Sequence, residues 1–551
     1  MAKKTNEQSE WKAETERAER KQRLANLKDS GGGKKKITAR SIGSRIASVV
    51  ILVALVLVVA VWAVARFGVL QKTLTAITIR NSEVPGASMT MSPADVNVEF
   101  GNISVQAQLG YAFTDEIQDK LERASSGDRT LRDDLVDLTL DQLAPTYAMV
   151  LAMNNDDSFV LSDEKLAEID KTVRDFEVSM AENAQSQGIG VGKLLETYFG
   201  PGVTSQYYMK FVRQSLMLQE YNQHLADTTE VSADELKEYK EENAADLKFY
   251  GYSSYTLSLP ATDDDEEELT EDELKTAVQE LAADASAALE LYEKGEMTFA
   301  EAMAEAETDK DKLISLKKNP EDLDYLTAGS RLSSSSKSWL TDAERKAGDT
   351  TVIEDTKSVT ALVFHSAEFE DVYVYNVRHI LIDSSAVSGE DGDPVSDDQI
   401  KARAEEILAE FEAGEKTEEA FAKLAETYSS DTGSVDNGGL YENVPYGTMV
   451  EPFQDWSLDE SRQAGDTGIV KTDYGYHIIY FVGLGDVKSI DYRVETLAKT
   501  EKINDWSQSL IAGSEIERHS LGMGFVGRKT FFKSLFAGDS VPVASTTTSE
   551  N

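Results

Sequence analysis

Read for apolar and polar positions alone, the chain divides into three regimes. Between Arg45 and Arg66 stand twenty residues, IASVVILVALVLVVAVWAVA, with no charge, proline or glycine. At a helical rise of about 1.5 Å per residue such a run spans roughly 30 Å, the hydrocarbon thickness of a bilayer, so residues 46–66 are expected to form a transmembrane helix. Ala63, Val64 and Ala65 resemble a small-x-small cleavage site, but a signal peptide's apolar core is shorter, about 7 to 15 residues, and an uncleaved anchor suits the run better. From 75 to 245 the apolar residues recur three and four apart. LSDEKLAEIDKTVRDFEVSMAENA offers Ser162 as an N-cap with Asp163 and Glu164 in the first turn, where the helix dipole favours acids. A Gly-Pro-Gly break, Gly200 to Gly202, precedes another amphipathic run, and VSADELKEYKEEN closes the region as a further helix. Tyr207, Tyr208, Met209, Phe211, Met217 and Tyr221 are expected in its core, with a groove for apolar peptides as the alternative.

Beyond 245 the period changes, and the chain repeats itself. SWLTDAERKAGDTTVIEDTKSVTALVF, Ser338 to Phe364, lies against DWSLDESRQAGDTGIVKTDYGYHIIYF, Asp455 to Phe481, at an offset of 117. Trp339 meets Trp456, Asp342 meets Asp459, Arg345 meets Arg462, and AGDT recurs at Ala347 and Ala464. Each copy reads as a strand, an acidic loop, helices and a final strand, an α+β pattern. The copies are placed at residues 247–367 and 372–486.

Charge sharpens the picture. The formal net charge is -44, yet residues 1–80 hold 16 Lys+Arg against 6 Asp+Glu, a net of +10, leaving 39 against 93, or -54, for the rest. Nucleic acid is therefore not an expected partner of the large acidic portion. Thirteen of the basic residues precede the apolar run, which places residues 1–45 in the cytoplasm as a solvated, partly helical basic tail and everything after about Gln71 outside. The expected location is the plasma membrane, single-pass. There is no cysteine, which excludes disulfides, thiolate metal sites and CxxC redox chemistry.

The candidate chemistry lies where the two copies differ. The second holds His379 in NVRHILI, the loop YSSDTGSVDNGGLYENVPYGTMVEPF from Tyr428 to Phe453, and His477; the first has SYTLSLP in place of RHILI, with Tyr255 opposite His379 and Thr360 opposite His477. Packing residues persist in both copies while the histidines do not, so the fold does not require them.

RHILI, GEKTEEAFAKLAETYSSD, NGGLYENVPYGTMVEPF and AGDTGIVKTDYGYHII together resemble the parvulin family of peptidyl-prolyl cis-trans isomerases over residues 372–484, and the earlier copy resembles a degenerate parvulin domain. The wider arrangement is similar to bacterial extracytoplasmic foldases of the PrsA and SurA type. That resemblance implies a helical chaperone-like domain at 75–245, a C-terminal helix at 488–535 packing on it, and unfolded or newly secreted polypeptides with X-Pro bonds as partners. Carried over residue by residue, it implies His379 and His477 as the paired histidines beneath the cleft, Asp431 facing the substrate amide, and Thr472 bonded within the histidine network. It implies Met449 and Phe453 as the floor of the proline pocket. Tyr441 and Glu442 replace the common Leu-Gly after the glycine pair and alter one wall of that pocket. The implied reaction needs no metal and no cofactor. A holdase or scaffold that has lost activity in both copies is the rival reading, and a structural envelope protein a third.

The loop SGEDGDPVSDDQ is acidic where a phosphopeptide-selective isomerase would carry Arg or Lys, which argues against phosphate selection. Calcium loops through Asp391 and Asp393, or through Asp263 to Glu268, lack a recognised ligand spacing, and solvated loops are expected instead. Residues 536–551 read as a disordered polar tail.

Overall fold

The computed structural model describes residues 14–23, 25, 53, 56, 57, 64, 68–260, 269–387 and 395–529. The expected transmembrane helix lies almost wholly outside these residues, as do the C-terminal tail, Asp263 to Glu268, and Asp391 with Asp393. Among the described residues no helix is long and apolar enough to cross a membrane. Residues 14–23 are helical and exposed.

The chain forms two compact units, Met1–Gln223 with Ser507–Asn551, and His224–Trp506, divided inside helices Ser205–Thr228 and Ser489–Ala512. The first unit is mostly helical, with side-chain caps where the sequence calls for them. Ser92 and Thr130 form capping boxes with Asp95 and Asp133, and Ser162 accepts from the Lys165 amide at the head of helix Asp163–Ser186. Gly200, at φ 83°, ends helix Val191–Phe199, and a Cβ there would strike the Phe113 ring. Met209 and Tyr221 are buried, and Tyr207, Tyr208 and Phe211 pack partly buried around Leu194, Leu195 and Phe199. Two short sheets depart from the helical expectation. Ala124–Ser126 pairs with Arg129–Thr130, and Ile77–Asn81 is the central strand of a three-stranded antiparallel sheet between Ser88–Met91 and Ser514–Arg518. Short-range periodicity gives no hint of the ladder to Ser514–Arg518, which joins residues more than 430 positions apart. Beside that sheet, buried Arg132 donates Nε to the Val526 carbonyl and Nη2 to the Met523 carbonyl, both at 2.8 Å.

The second unit holds two four-stranded antiparallel sheets in succession. The first contains β1 (Phe249–Ser258), β2 (Asp324–Ala328), β3 (Thr350–Glu354) and β4 (Ser358–Glu368) in the order β2-β1-β4-β3. The second contains β5 (Tyr373–Ile382), β6 (Leu440–Val444), β7 (Thr467–Thr472) and β8 (Gly475–Lys488) in the order β6-β5-β8-β7. The strand order is the same in both. The residues shared by the repeat do the same work twice: the Arg345 guanidinium lies over Trp339 at 4.1 Å and that of Arg462 over Trp456 at 3.8 Å. In the AGDT turns, Gly348 donates to the Phe364 carbonyl and Gly465 to that of Phe481, each at 2.8 Å.

Register corrects one pairing read from sequence. Phe364 pairs with Tyr252 and Phe481 with Val377, so the first-sheet counterpart of His379 is Ser254, not Tyr255. A one-residue slip reverses the face a side chain occupies; Tyr255 packs near Ala302 and Met303 and donates to Glu307 at 2.7 Å. By the same register Tyr325 answers Tyr441, and at the repeat offset Ser336 stands where the second copy has Phe453.

Alternation then assigns the faces of the second sheet. Ile380, Ile382, Ile478 and Tyr480 pack under helices α1 (Asp397–Ala413) and α2 (Glu418–Tyr428), against Ile407, Phe411 and Phe421. The opposite face carries Tyr375, Val377, Ile479 and Phe481 beneath helix α3 (Glu451–Leu458). His379 and His477 share the parity of this second face.

Replacing Arg132 with Leu leaves two buried carbonyls without their donor and is expected to destabilise the first unit by about 1.5–3 kcal/mol. A shift in its urea unfolding midpoint checks this; an unchanged midpoint contradicts it.

Candidate active site

His379 and His477 come from neighbouring strands whose register sets Ile479 opposite His379 and Leu381 opposite His477. The two imidazoles are diagonal neighbours on one face. They are 4% and 6% exposed, with ring planes 19° apart and Nδ1 atoms 3.2 Å from each other. Buried ring nitrogens need partners, and each has one. His477 Nε2 meets Thr472 Oγ1 at 2.8 Å, across the β7–β8 turn, and His379 Nε2 meets Asp431 Oδ2 at 2.7 Å.

The loop carrying Asp431 is held from both ends. Ser430 donates its amide to the Leu381 carbonyl, and the His379 amide donates to the Gly439 carbonyl, both at 2.8 Å. Gly438 and Gly439 have φ of 70° and 74°; a Cβ on Gly439 would lie 2.2 Å from the His379 carbonyl oxygen, so only glycine lets the loop approach the strand here. Besides His379, the Asp431 carboxylate accepts from Ser434 Oγ at 2.5 Å, Tyr441 OH at 2.9 Å and the Gly433 amide at 3.1 Å. The His379 bond, with help from these other donors, outweighs partial burial and holds this carboxyl well below the usual range. Its side chain stays 20% exposed.

An ionised Asp431 accepts and cannot donate, so His379 presents Nε2–H to it, and the chain continues through the two Nδ1 atoms to His477 and from His477 Nε2 to the Thr472 hydroxyl. Burial, then the neighbouring His379, pushes His477 down to about 4, so it stays neutral at physiological pH. Phe453 lies beneath both rings, edge-on, with centroids 5.6 and 5.3 Å from His379 and His477, and is 2% exposed. Met449 and Tyr441 are only partly buried and pack against the same cluster. All seven residues singled out from sequence therefore converge.

Ser434 is the member missed. It is 2% exposed, bonds Asp431 and lies 3.2 Å from His379 Nε2. Its signal was local: a serine three residues after an aspartate in DTGS, the spacing of a turn closed by the aspartate. In the first sheet Ser254, Thr360 and Ser336 stand at the positions of His379, His477 and Phe453, and the Thr360 hydroxyl meets that of Thr256 at 2.9 Å.

Residues 363–482 match the family model described as "PPIC-type PPIASE domain". The second sheet belongs to a PPIC-type PPIase domain. The chain is similar to "Foldase protein PrsA 1" of Listeria innocua, 37% identical over 106 residues that make 19% of this chain and 29% of that protein. It is also similar to "Chaperone SurA" of Alkalilimnicola ehrlichii, 34% identical over 110 residues, 20% of this chain and 23% of that protein. The matched stretches thus span under a third of these relatives. Among solved structures, "Crystal Structure of PrsA from Bacillus subtilis" aligns over 72% of this chain and 90% of that one at 14% identity and a TM-score of 0.25.

The lowered His477 gives the PPIase domain an acid sensitivity. Between pH 6.5 and about 4 the unfolded chain takes up a proton that folded His477 refuses, so stability falls as pH falls through that window. Urea midpoints from pH 7.5 to 4.5 are expected to drop, and His477→Gln to flatten the trend. An imidazole of His477 titrating near 6.5 by NMR contradicts it.

Proposed function

We propose that the chain is a membrane-anchored extracytoplasmic foldase whose PPIase domain accelerates cis-trans isomerisation of X-Pro bonds in unfolded or newly secreted polypeptides. The observation that carries this reading is the continuous chain Thr472, His477, His379, Asp431, ending in an ionised, partly exposed carboxylate that also accepts from Tyr441, with Phe453 edge-on beneath both imidazoles and Met449 packed against the Phe453 cluster. The anchor rests on residues 46–66 and the charge asymmetry around them.

Rotation about the peptide C–N bond costs about 20 kcal/mol because amide resonance is lost. Resonance places negative charge on the carbonyl oxygen, and twisting removes it. Asp431, held anionic by its donors, disfavours that oxygen in the planar amide more than in the twisted one, so the barrier falls without any bond to the substrate being made. Met449 and the aromatic floor hold the pyrrolidine ring. The histidines act from below: they fix Asp431 in place. Tyr441, with its hydroxyl on Asp431, joins the pocket wall to the same network.

A holdase reading has support of its own in the first sheet, where Ser254, Thr360 and Ser336 stand at the positions of His379, His477 and Phe453. Turnover separates the two. The full chain is expected to isomerise a proline tetrapeptide, with kcat/KM falling at least about tenfold in His477→Ala and in Phe453→Ala, whose buried ring and imidazole contacts are then lost. Suppression of client aggregation with no turnover by the unaltered chain overturns the enzyme reading in favour of the holdase.

A further inference from the structure

The first module reaches the proline pocket of its neighbour from behind. Phe249, the first residue of β1 and 7% exposed, sets its ring edge-on against Tyr446 of the PPIase domain, with centroids 4.9 Å apart. The next residue, Gly447, has φ +80°, and a Cβ there would lie 2.6 Å from the Phe249 ring. The Gly447 amide donates to the side chain of buried Gln454, the neighbour of Phe453 on α3. The Tyr446 amide donates to Ser489 Oγ at 2.8 Å, and Ser489 in turn donates to Glu370 at 3.1 Å. Glu370 pairs with Arg493 at 2.8 Å, with side chains only 4% and 14% exposed, and the Arg493 guanidinium lies 5.3 Å over Phe249 while bonding the Leu247 carbonyl. A cavity of about 260 Å³ runs along this contact, bordered by Phe249, Tyr446, Gly447, Thr448, Arg493 and Leu497, so the turn has room to shift once the ring is gone.

We propose that Phe249 is a positioning residue for the PPIase domain: its ring seats the Tyr446–Gly447 turn, from which Met449 and Phe453 follow within six residues, and so holds the pocket in its substrate-binding shape. This gives the first module a task that needs no histidine. It rests on the isomerase reading only where turnover is the measurement.

The test is Phe249→Ala in the full chain. Loss of one aromatic contact is expected to raise KM for a proline tetrapeptide about threefold to tenfold while kcat stays within about twofold, and to weaken binding of a fluorescent proline peptide by the same factor. A change confined to overall stability would leave both values untouched in the folded fraction. KM and affinity within twofold of the unaltered chain, with cooperative melting retained, overturn the proposal. Should Phe249→Ala fail to fold, Gly447→Ala pushes the turn off the ring from its own side, and the same two outcomes decide. If the unaltered chain binds the peptide without turning it over, the isomerase reading fails and the affinity comparison alone judges Phe249.

Discussion

Everything at the site depends on burying two imidazoles side by side without leaving a ring nitrogen unpaired. A desolvated pair of this kind is tolerable when each polar atom has a partner. Thr472 supplies one end of the chain and Asp431 the other. Because Asp431 is anionic, the proton between it and His379 sits on Nε2. The same condition explains why the loop around Asp431 is so heavily restrained: a carboxylate displaced by an ångström would leave His379 Nε2 facing only Ser434.

Comparison of the two sheets separates what folds the module from what equips it. The cation–π clasps of Arg345 on Trp339 and Arg462 on Trp456, and the matching glycine turns, recur with nearly the same geometry. Among the described residues, the His379–His477–Asp431 chain stands only in the second sheet. Structural residues are thus held in common while the polar cluster is not, as expected if sheet and clasp provide the stability and the network, costly to bury, persists where it is used.

Several features were legible in sequence because their physical cause is local. The cap at Ser162 precedes a helix with acids in the first turn, and that helix forms, as does the one read in VSADELKEYKEEN. The Gly-Pro-Gly break ends one helix before another begins. The site residues were legible as a set, since each occupies a recognisable motif. The strand Ser514–Arg518 was not, because antiparallel pairing with Ile77–Asn81 is a long-range choice with no short-range signature. Nor was the exact first-sheet counterpart of His379, because it is set by the pairing of Tyr252 with Phe364 and of Val377 with Phe481 across the two sheets.

By itself, then, the sequence determined the apolar run, the charge asymmetry, the repeated module and the residue types available to the site, all of which arise from composition and short-range periodicity. Tertiary structure alone decided that Asp431 is gripped by four donors, that Ser434 is one of them, and that Phe249 lies against Gly447. Those facts depend on which side chains meet across strands and modules, and pairing of that kind is settled by packing and by the satisfaction of buried polar groups.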